Sequence, residues 1–354
     1  MCTSFKLTAK DGSVVVGRSM EYAIPVNWDL VITPRGAKGS SVGPDGPGVQ
    51  WDTKYGHAGI ALGTSTAFGV TTQGQPGVSD GSNEAGLFAG ALYLPGFTQY
   101  PSIEGVPADQ LIAPLDVCNY LLATTASVAE AIEAMQRVTA WPQVVPPVGV
   151  MPLHIVLHDG SGASAVIEWV GGEMQVHDAP LGVATNAPPF PWHMTNLSNY
   201  VNLRVLDVEP ISLQGETFTA IGAGSGWLGL PGDFTPPSRF VRAIALSGTA
   251  YPDADSAGSA RTALRILGSF DIPKGTVRAK TPEGITGAEA AAAGLGDFTA
   301  FVSVCELGAT PSYSYRMYDD LTPRRFPLTE ATIGSGDIRR VNLMGSAGFA
   351  TIDA

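Results

Sequence analysis

Residues 3–17 constrain the fold more than any other stretch of this chain. Thr3-Ser-Phe-Lys-Leu-Thr-Ala9 alternates polar and apolar side chains with period two, Asp11-Gly12 is a hairpin turn signal, and Ser13-Val-Val-Val-Gly17 returns. The pattern specifies an antiparallel hairpin with a buried face. Cys2 opens its first strand, and Arg18 falls just past the end of the second. Antiparallel pairing therefore brings Arg18 back towards the chain start.

The rest of the chain extends this beginning into layers. Asp29-Leu-Val-Ile-Thr33 reads as another short strand, and residues 36–49, rich in Gly, Ser and Pro, read as a loop. Helical periodicity appears at 108–123 and 127–138, where Ser127 and Glu130 form a capping box. Three strands follow at Leu153–His158, Ala163–Trp169 and Glu173–His177, separated by Asp159-Gly160 and Gly171-Gly172 turns. Helices are predicted again at 194–204, 238–247 and 258–268, then strands at Phe298–Val304 and Tyr313–Tyr318. Strands, helices, strands, helices and strands in that order predict antiparallel sheet packed against helices, not a βαβ repeat. No repeat, low-complexity tract or linker divides the chain, so residues 1–354 read as one domain.

Composition narrows the function classes. Hydrophobic residues make up 44% and charged ones 15%, enough apolar material for a core. A formal net charge of −12 implies no basic surface, which argues against nucleic acid or an anionic membrane as partner. No apolar run reaches the length of a membrane span. Three cysteines, Cys2, Cys118 and Cys305, do not make a disulfide framework, and a reducing compartment follows. The N-terminus lacks the charged-then-apolar pattern of a signal peptide. A cytoplasmic location is expected, or a periplasmic or secreted one if a leader preceded Cys2.

The chemistry starts at Cys2. A small side chain at position 2 favours excision of Met1, leaving a thiol and a free α-amine on one residue. The amine has a reference pKa of about 7.7–8.0, so part of it is neutral near pH 7 and can act as a base for the thiol beside it. The plain alternative is that Cys2 merely follows the start codon.

Met1-Cys-Thr-Ser-Phe5 followed by Gly17-Arg-Ser-Met-Glu-Tyr22 resembles the opening of the choloylglycine hydrolase family. Further matching segments come in order: Thr33-Pro-Arg-Gly36, Asp80-Gly-Ser-Asn-Glu-Ala-Gly-Leu87, Ala184-Thr-Asn-Ala-Pro188, Asn196-Leu-Ser-Asn-Tyr200, Gly229-Leu-Pro-Gly-Asp233, Pro237-Ser-Arg-Phe-Val-Arg242 and Tyr315-Arg-Met-Tyr-Asp-Asp320. The family includes bile salt hydrolases and penicillin V acylases. The resemblance implies a four-layer αββα sandwich of the N-terminal nucleophile hydrolase type, an α+β fold, with no metal or cofactor and a homotetrameric assembly. It implies Cys2 as nucleophile, Arg18 as the arginine beside the thiolate, and Glu21, where the family usually has aspartate, as the group orienting the α-amine. Asn186 matches the side-chain oxyanion donor, Tyr93 the residue whose backbone N–H is the second donor, and Arg239 the late arginine near the nucleophile.

These residue types suit amide hydrolysis without the family name. Attack on an amide carbonyl creates a negative oxygen that preorganised N–H donors stabilise. Arginines beside a cysteine favour its thiolate. Each residue also has a plainer use: the arginines in ion pairs, Glu21 at a solvated strand end, Asn186 and Asn83-Glu84 in turns, Tyr93 as a core aromatic. The expected reaction is hydrolysis of a linear amide through a thioester on Cys2. Tyr93 orders the substrates with penicillin V ahead of conjugated bile salts and N-acyl homoserine lactones.

Other signals are discounted. Gly224-Ser-Gly-Trp-Leu-Gly229 fits G-x-G-x-x-G but lacks the flanking strand and helix. His154 and His158 read as ordinary strand residues, and Cys118 and Cys305 as small core hydrophobes. Two rival readings stand beside the hydrolase: a binding protein that kept the fold without catalysis, and a papain-like enzyme using Cys118 with a histidine.

Overall fold

A computed structural model describes residues 1–23, 26–63, 77–145, 149–278 and 296–343. The predicted hairpin forms, with Cys2–Thr8 paired antiparallel to Val14–Tyr22 and Cys2 directly opposite Met20. Its second strand runs beyond Gly17, so Arg18 lies within the strand and not past its end. The polar Arg18-Ser19 pair interrupts the apolar pattern because both side chains are buried by tertiary neighbours. The hairpin supplies the second and third strands of a six-stranded sheet, in the order Val183–Ala184, Cys2–Thr8, Val14–Tyr22, Phe298–Glu306, Ser312–Met317, Asp320–Pro327.

A second sheet of eight strands stacks on the first. Its order is Glu173–Asp178, Ser164–Val170, Leu153–Asp159, Leu87–Tyr93, Val78–Asn83, His57–Leu62, Trp28–Thr33, Arg339–Asn342. Period-two alternation sorts its side chains between two cores. Phe88, Leu92, Val156 and Val166 face the six-stranded sheet, whereas Leu87, Ala89, Ile155, Leu157 and Trp169 face helices Val117–Thr124 and Val128–Met135. Helices Pro236–Thr249 and Ser256–Leu267 cover the outer face of the six-stranded sheet. The result is the predicted αββα layering. Burial of a side chain such as Phe88, with no exposed surface, contributes roughly 1.5–3 kcal/mol.

Some sequence expectations need correction. Residues 36–49 are not a loop: Lys38–Gly43 and Gly46–Asp52 form a hairpin. Gly39 is what hid it, because a strand glycine is needed there; a Cβ on Gly39 would lie 2.1 Å from the Trp51 ring. The predicted 108–123 helix is broken into 3₁₀ turns at Ala108–Gln110 and Pro114–Asp116, with α-helix only at Val117–Thr124. Pro107 and Pro114 account for the breaks. The helix expected at 194–204 starts earlier, at Phe190, and ends at Asn196 in a 3₁₀ turn. Ser127 does cap its helix, accepting from the Glu130 N–H at 3.2 Å. Among the described residues, no helix is long and apolar enough to cross a membrane.

Candidate active site

Strand register places the chemistry. Cys2, Ser4, Arg18 and Met20 occupy facing positions in the hairpin, so their side chains share the face turned towards the eight-stranded sheet. Cys2 is 3% exposed, and its Sγ lies 3.6 Å from Arg18 Nη2 and 3.7 Å from Met20 Sδ. Arg18 Nη2 also donates to the Ala91 carbonyl of the opposite sheet at 2.8 Å. The guanidinium is fully buried, and its counter-charge is Asp80, with Nη1 3.5 Å from Oδ2. Asp80 in turn accepts from Tyr313 Oη at 2.7 Å and from Ser303 Oγ. Burial alone would lower the Arg18 pKa; Asp80, together with smaller contributions from Cys2, Tyr313 and Cys118, raises it.

Arg239 reaches the site from the other side. It rises from helix Pro236–Thr249 and donates from Nη1 to the Cys2 carbonyl and to Thr3 Oγ1, the latter at 2.7 Å, and from Nη2 to Asn186 Oδ1, also at 2.7 Å. It therefore holds the backbone of the nucleophile residue, while Arg18 alone meets the sulfur. Arginine can only donate, so the Asn186 atom facing it must be the oxygen. That fixes the amide: Asn186 Nδ2 points away, to the Tyr93 carbonyl at 2.7 Å. Within a strand, N–H and C=O of one residue point to the same side, so the Tyr93 N–H faces the Asn186 side too.

Glu21 lies close by but on the opposite face of its strand. It is buried opposite Thr299, whose Oγ1 donates to Glu21 Oε1 at 3.3 Å. Burial raises the pKa of its carboxyl, against the pull of Arg239 and the terminal amine. With Met1 in place, the Glu21 main chain exchanges two hydrogen bonds with Met1, at 2.7 and 2.8 Å. The Cys2 nitrogen donates to Asn186 Oδ1 at 2.7 Å.

A cavity of about 360 Å³ opens beside Asn186. Met20, Tyr22, Tyr93, Met151, Leu153 and Pro236 make its wall largely apolar, with Asp297 and Met1 also lining it. Met1 is covalently joined to the Cys2 nitrogen, so its excision uncovers that nitrogen and enlarges the cavity. Cys118 is sealed within helix Val117–Thr124, where burial pushes its thiol up to about 12. A papain-like site built on it has no reactive thiolate. Among the described residues no cluster of His, Cys, Asp and Glu could hold a metal.

Two acidic residues at the site were not singled out from the sequence. Asp80 belongs to a matching segment, yet nothing local distinguishes a counter-ion from a turn acid. Asp297, 3.6 Å from the terminal amine, has no sequence signal at all.

Two stacked antiparallel sheets between helical layers, with a cysteine opening an inner strand against the sheet interface, define an N-terminal nucleophile amidohydrolase. The sequence model of the linear amide C–N hydrolases, choloylglycine hydrolase family, matches residues 2–338, and the chain belongs to that family. It is 30% identical over 342 residues to a bile salt hydrolase/transferase of Bifidobacterium longum, covering 96% of this chain and 98% of the relative. A variant structure of the conjugated bile acid hydrolase from Clostridium perfringens superposes with a TM-score of 0.82 at 27% identity, covering all of both chains. Similarity to a penicillin V acylase of Pectobacterium atrosepticum is 30% over 185 residues, 51% of this chain and 47% of the relative.

Proposed function

We propose that this enzyme hydrolyses N-acyl amides bearing a bulky apolar acyl group, with bile acid conjugates preferred over penicillin V. The observation that carries it is the Cys2 sulfur facing Arg18, with Met20 and Asn186, both in contact with Cys2, lining a largely apolar cavity. Once Met1 is removed, the Cys2 α-amine takes the thiol proton and the thiolate attacks the substrate carbonyl. Asn186 Nδ2 and the Tyr93 N–H stabilise the oxyanion. The α-ammonium returns its proton to the leaving amine, and a thioester remains on Cys2. The same α-amine then deprotonates water, which attacks the thioester and releases the acid and the free thiol. Arg18 stabilises the thiolate, Arg239 fixes Cys2 and Asn186, and Glu21 orients the α-amine once Met1 no longer occupies its strand position.

The substrate order reverses the one that Tyr93 suggests. What Tyr93 offers the oxyanion is a backbone N–H, which any residue supplies, so that role does not choose between acyl groups. The relative matched along nearly the whole chain carries a bile salt name, while similarity to the penicillin V acylase covers half. The test is kcat/KM of the Met1-processed enzyme for glycine- and taurine-conjugated bile salts against penicillin V. The conjugates are expected to lead by about tenfold or more, the range available to differences in apolar pocket contacts. A lead of that size for penicillin V would reverse the order.

A further inference from the structure

Asn186 sits in the short link between the strand Val183–Ala184 and the helix Phe190–Asn196. The link has no sheet ladder to hold it, and three buried side chains take that place. His154 Nε2 donates to the Thr185 carbonyl at 2.9 Å. His193 Nε2 donates to the Asn186 carbonyl at 2.8 Å. The Phe190 N–H donates to both oxygens of Glu168, at 3.0 and 3.1 Å.

These contacts bear on one Cα. The Thr185 carbonyl belongs to the planar peptide unit entering Asn186, and the Asn186 carbonyl to the one leaving it. With both planes anchored, φ and ψ of Asn186 are fixed, and so is the direction in which its side chain leaves the backbone. His154 is itself held: its Nδ1 donates to Glu168 Oε1 at 3.1 Å, so both ring nitrogens serve as donors. Glu168 is fully buried, and His177 Nε2 lies 3.4 Å from its second oxygen. Burial pushes the Glu168 carboxyl up, but His154, the nearby His177 and the Phe190 N–H together outweigh it and hold it down at about 2. The carboxylate, an acceptor only, thus gathers donors from two neighbouring strands and a helix start. Neither His154 nor Glu168 lines the cavity.

We propose that His154 and Glu168 are positioning residues for the reaction: the pair anchors the Thr185–Asn186 peptide and so aims Asn186 Nδ2 at the oxyanion. This rests on the reading of Asn186 as an oxyanion donor. A displacement of about 1 Å in such a donor costs on the order of 10²-fold in rate, close to the loss from removing it. Glu168→Gln keeps the shape but sets an NH₂ group among donors. His154→Phe keeps the ring and removes both donors.

The experiment compares these two variants with Asn186→Ala on a glycine-conjugated bile salt or penicillin V, whichever is turned over faster, and measures alkylation of Cys2 by iodoacetamide. In His154→Phe, kcat is expected to fall about 10- to 100-fold, and in Glu168→Gln about tenfold, with KM within about twofold. The alkylation rate falls far less than kcat, because Arg18 and the thiol are untouched and Asn186 reaches Cys2 only through its nitrogen. Wild-type kcat in folded Glu168→Gln, or alkylation that slows in step with kcat, overturns the positioning role while a slow Asn186→Ala leaves the oxyanion reading standing. Wild-type kcat in Asn186→Ala overturns that reading itself. If His154→Phe fails to fold, the shape-preserving Glu168→Gln still decides the matter.

Discussion

Cys2→Ala is expected to abolish amide hydrolysis, with a fall of about 10⁴-fold or more in kcat, as for other covalent nucleophiles. Neither of the other two cysteines can replace the sulfur. The other thiols lie away from it: Cys118 is buried among helix contacts, and burial raises the Cys305 thiol well above its ordinary range. The fold should survive, because among the described residues the polar contacts of Sγ are two weak ones, to Arg18 Nη2 and Met20 Sδ. A loss of about 1 kcal/mol is expected, as for an ordinary core truncation. Single-turnover assays beside urea unfolding separate the two effects. More than a tenth of wild-type kcat in a folded Cys2→Ala protein would end the nucleophile assignment. Cys118→Ala, by contrast, should leave kcat unchanged.

The second large effect concerns stability. Asp80→Ala is expected to destabilise the protein by about 3–5 kcal/mol, because it leaves the Arg18 guanidinium buried without its counter-charge. The hydroxyls of Tyr313 and Ser303 lose their acceptor as well. The gain in forming such a buried pair is small, since desolvation offsets the Coulomb attraction, but breaking it from one side leaves the full desolvation cost uncompensated. Urea denaturation midpoints measure this, and a change below about 1 kcal/mol would show that Arg18 is neutralised elsewhere. Arg18 also faces the Cys2 sulfur. A folded remnant of Asp80→Ala should therefore alkylate Cys2 at an altered rate, because the guanidinium is free to move.

Much of the fold was legible because its signals are short-range. Period-two alternation on either side of Asp11-Gly12 sets the hairpin, and that register alone brings Arg18 opposite Ser4, two positions from Cys2. The strands Leu153–Asp159, Ser164–Val170 and Glu173–Asp178 lie within a residue or so of their predicted bounds, since turn glycines mark their ends. The hairpin at 38–52 was illegible because a glycine that weakens a strand in isolation is required there by the Trp51 ring. His154 reads as an ordinary strand residue for a similar reason. Its partners, Glu168 and the Thr185 carbonyl, come from other segments, and no local pattern announces them.

Cys2 shows where the two sources of information divide. The sequence by itself determined that a thiol opens the first strand of a hairpin, that an arginine returns beside it, and that ordered segments along the chain match one family of amide hydrolases. The first two follow from turn chemistry and side-chain alternation, which act over a few residues. Only the tertiary structure decided that Arg239 holds the Cys2 carbonyl, which way the Asn186 amide faces, and that Asp80 neutralises Arg18. Those are contacts between stacked sheets about 10 Å apart, or between a sheet and its helix. They join residues tens to hundreds of positions apart, and packing of the layers alone brings them together.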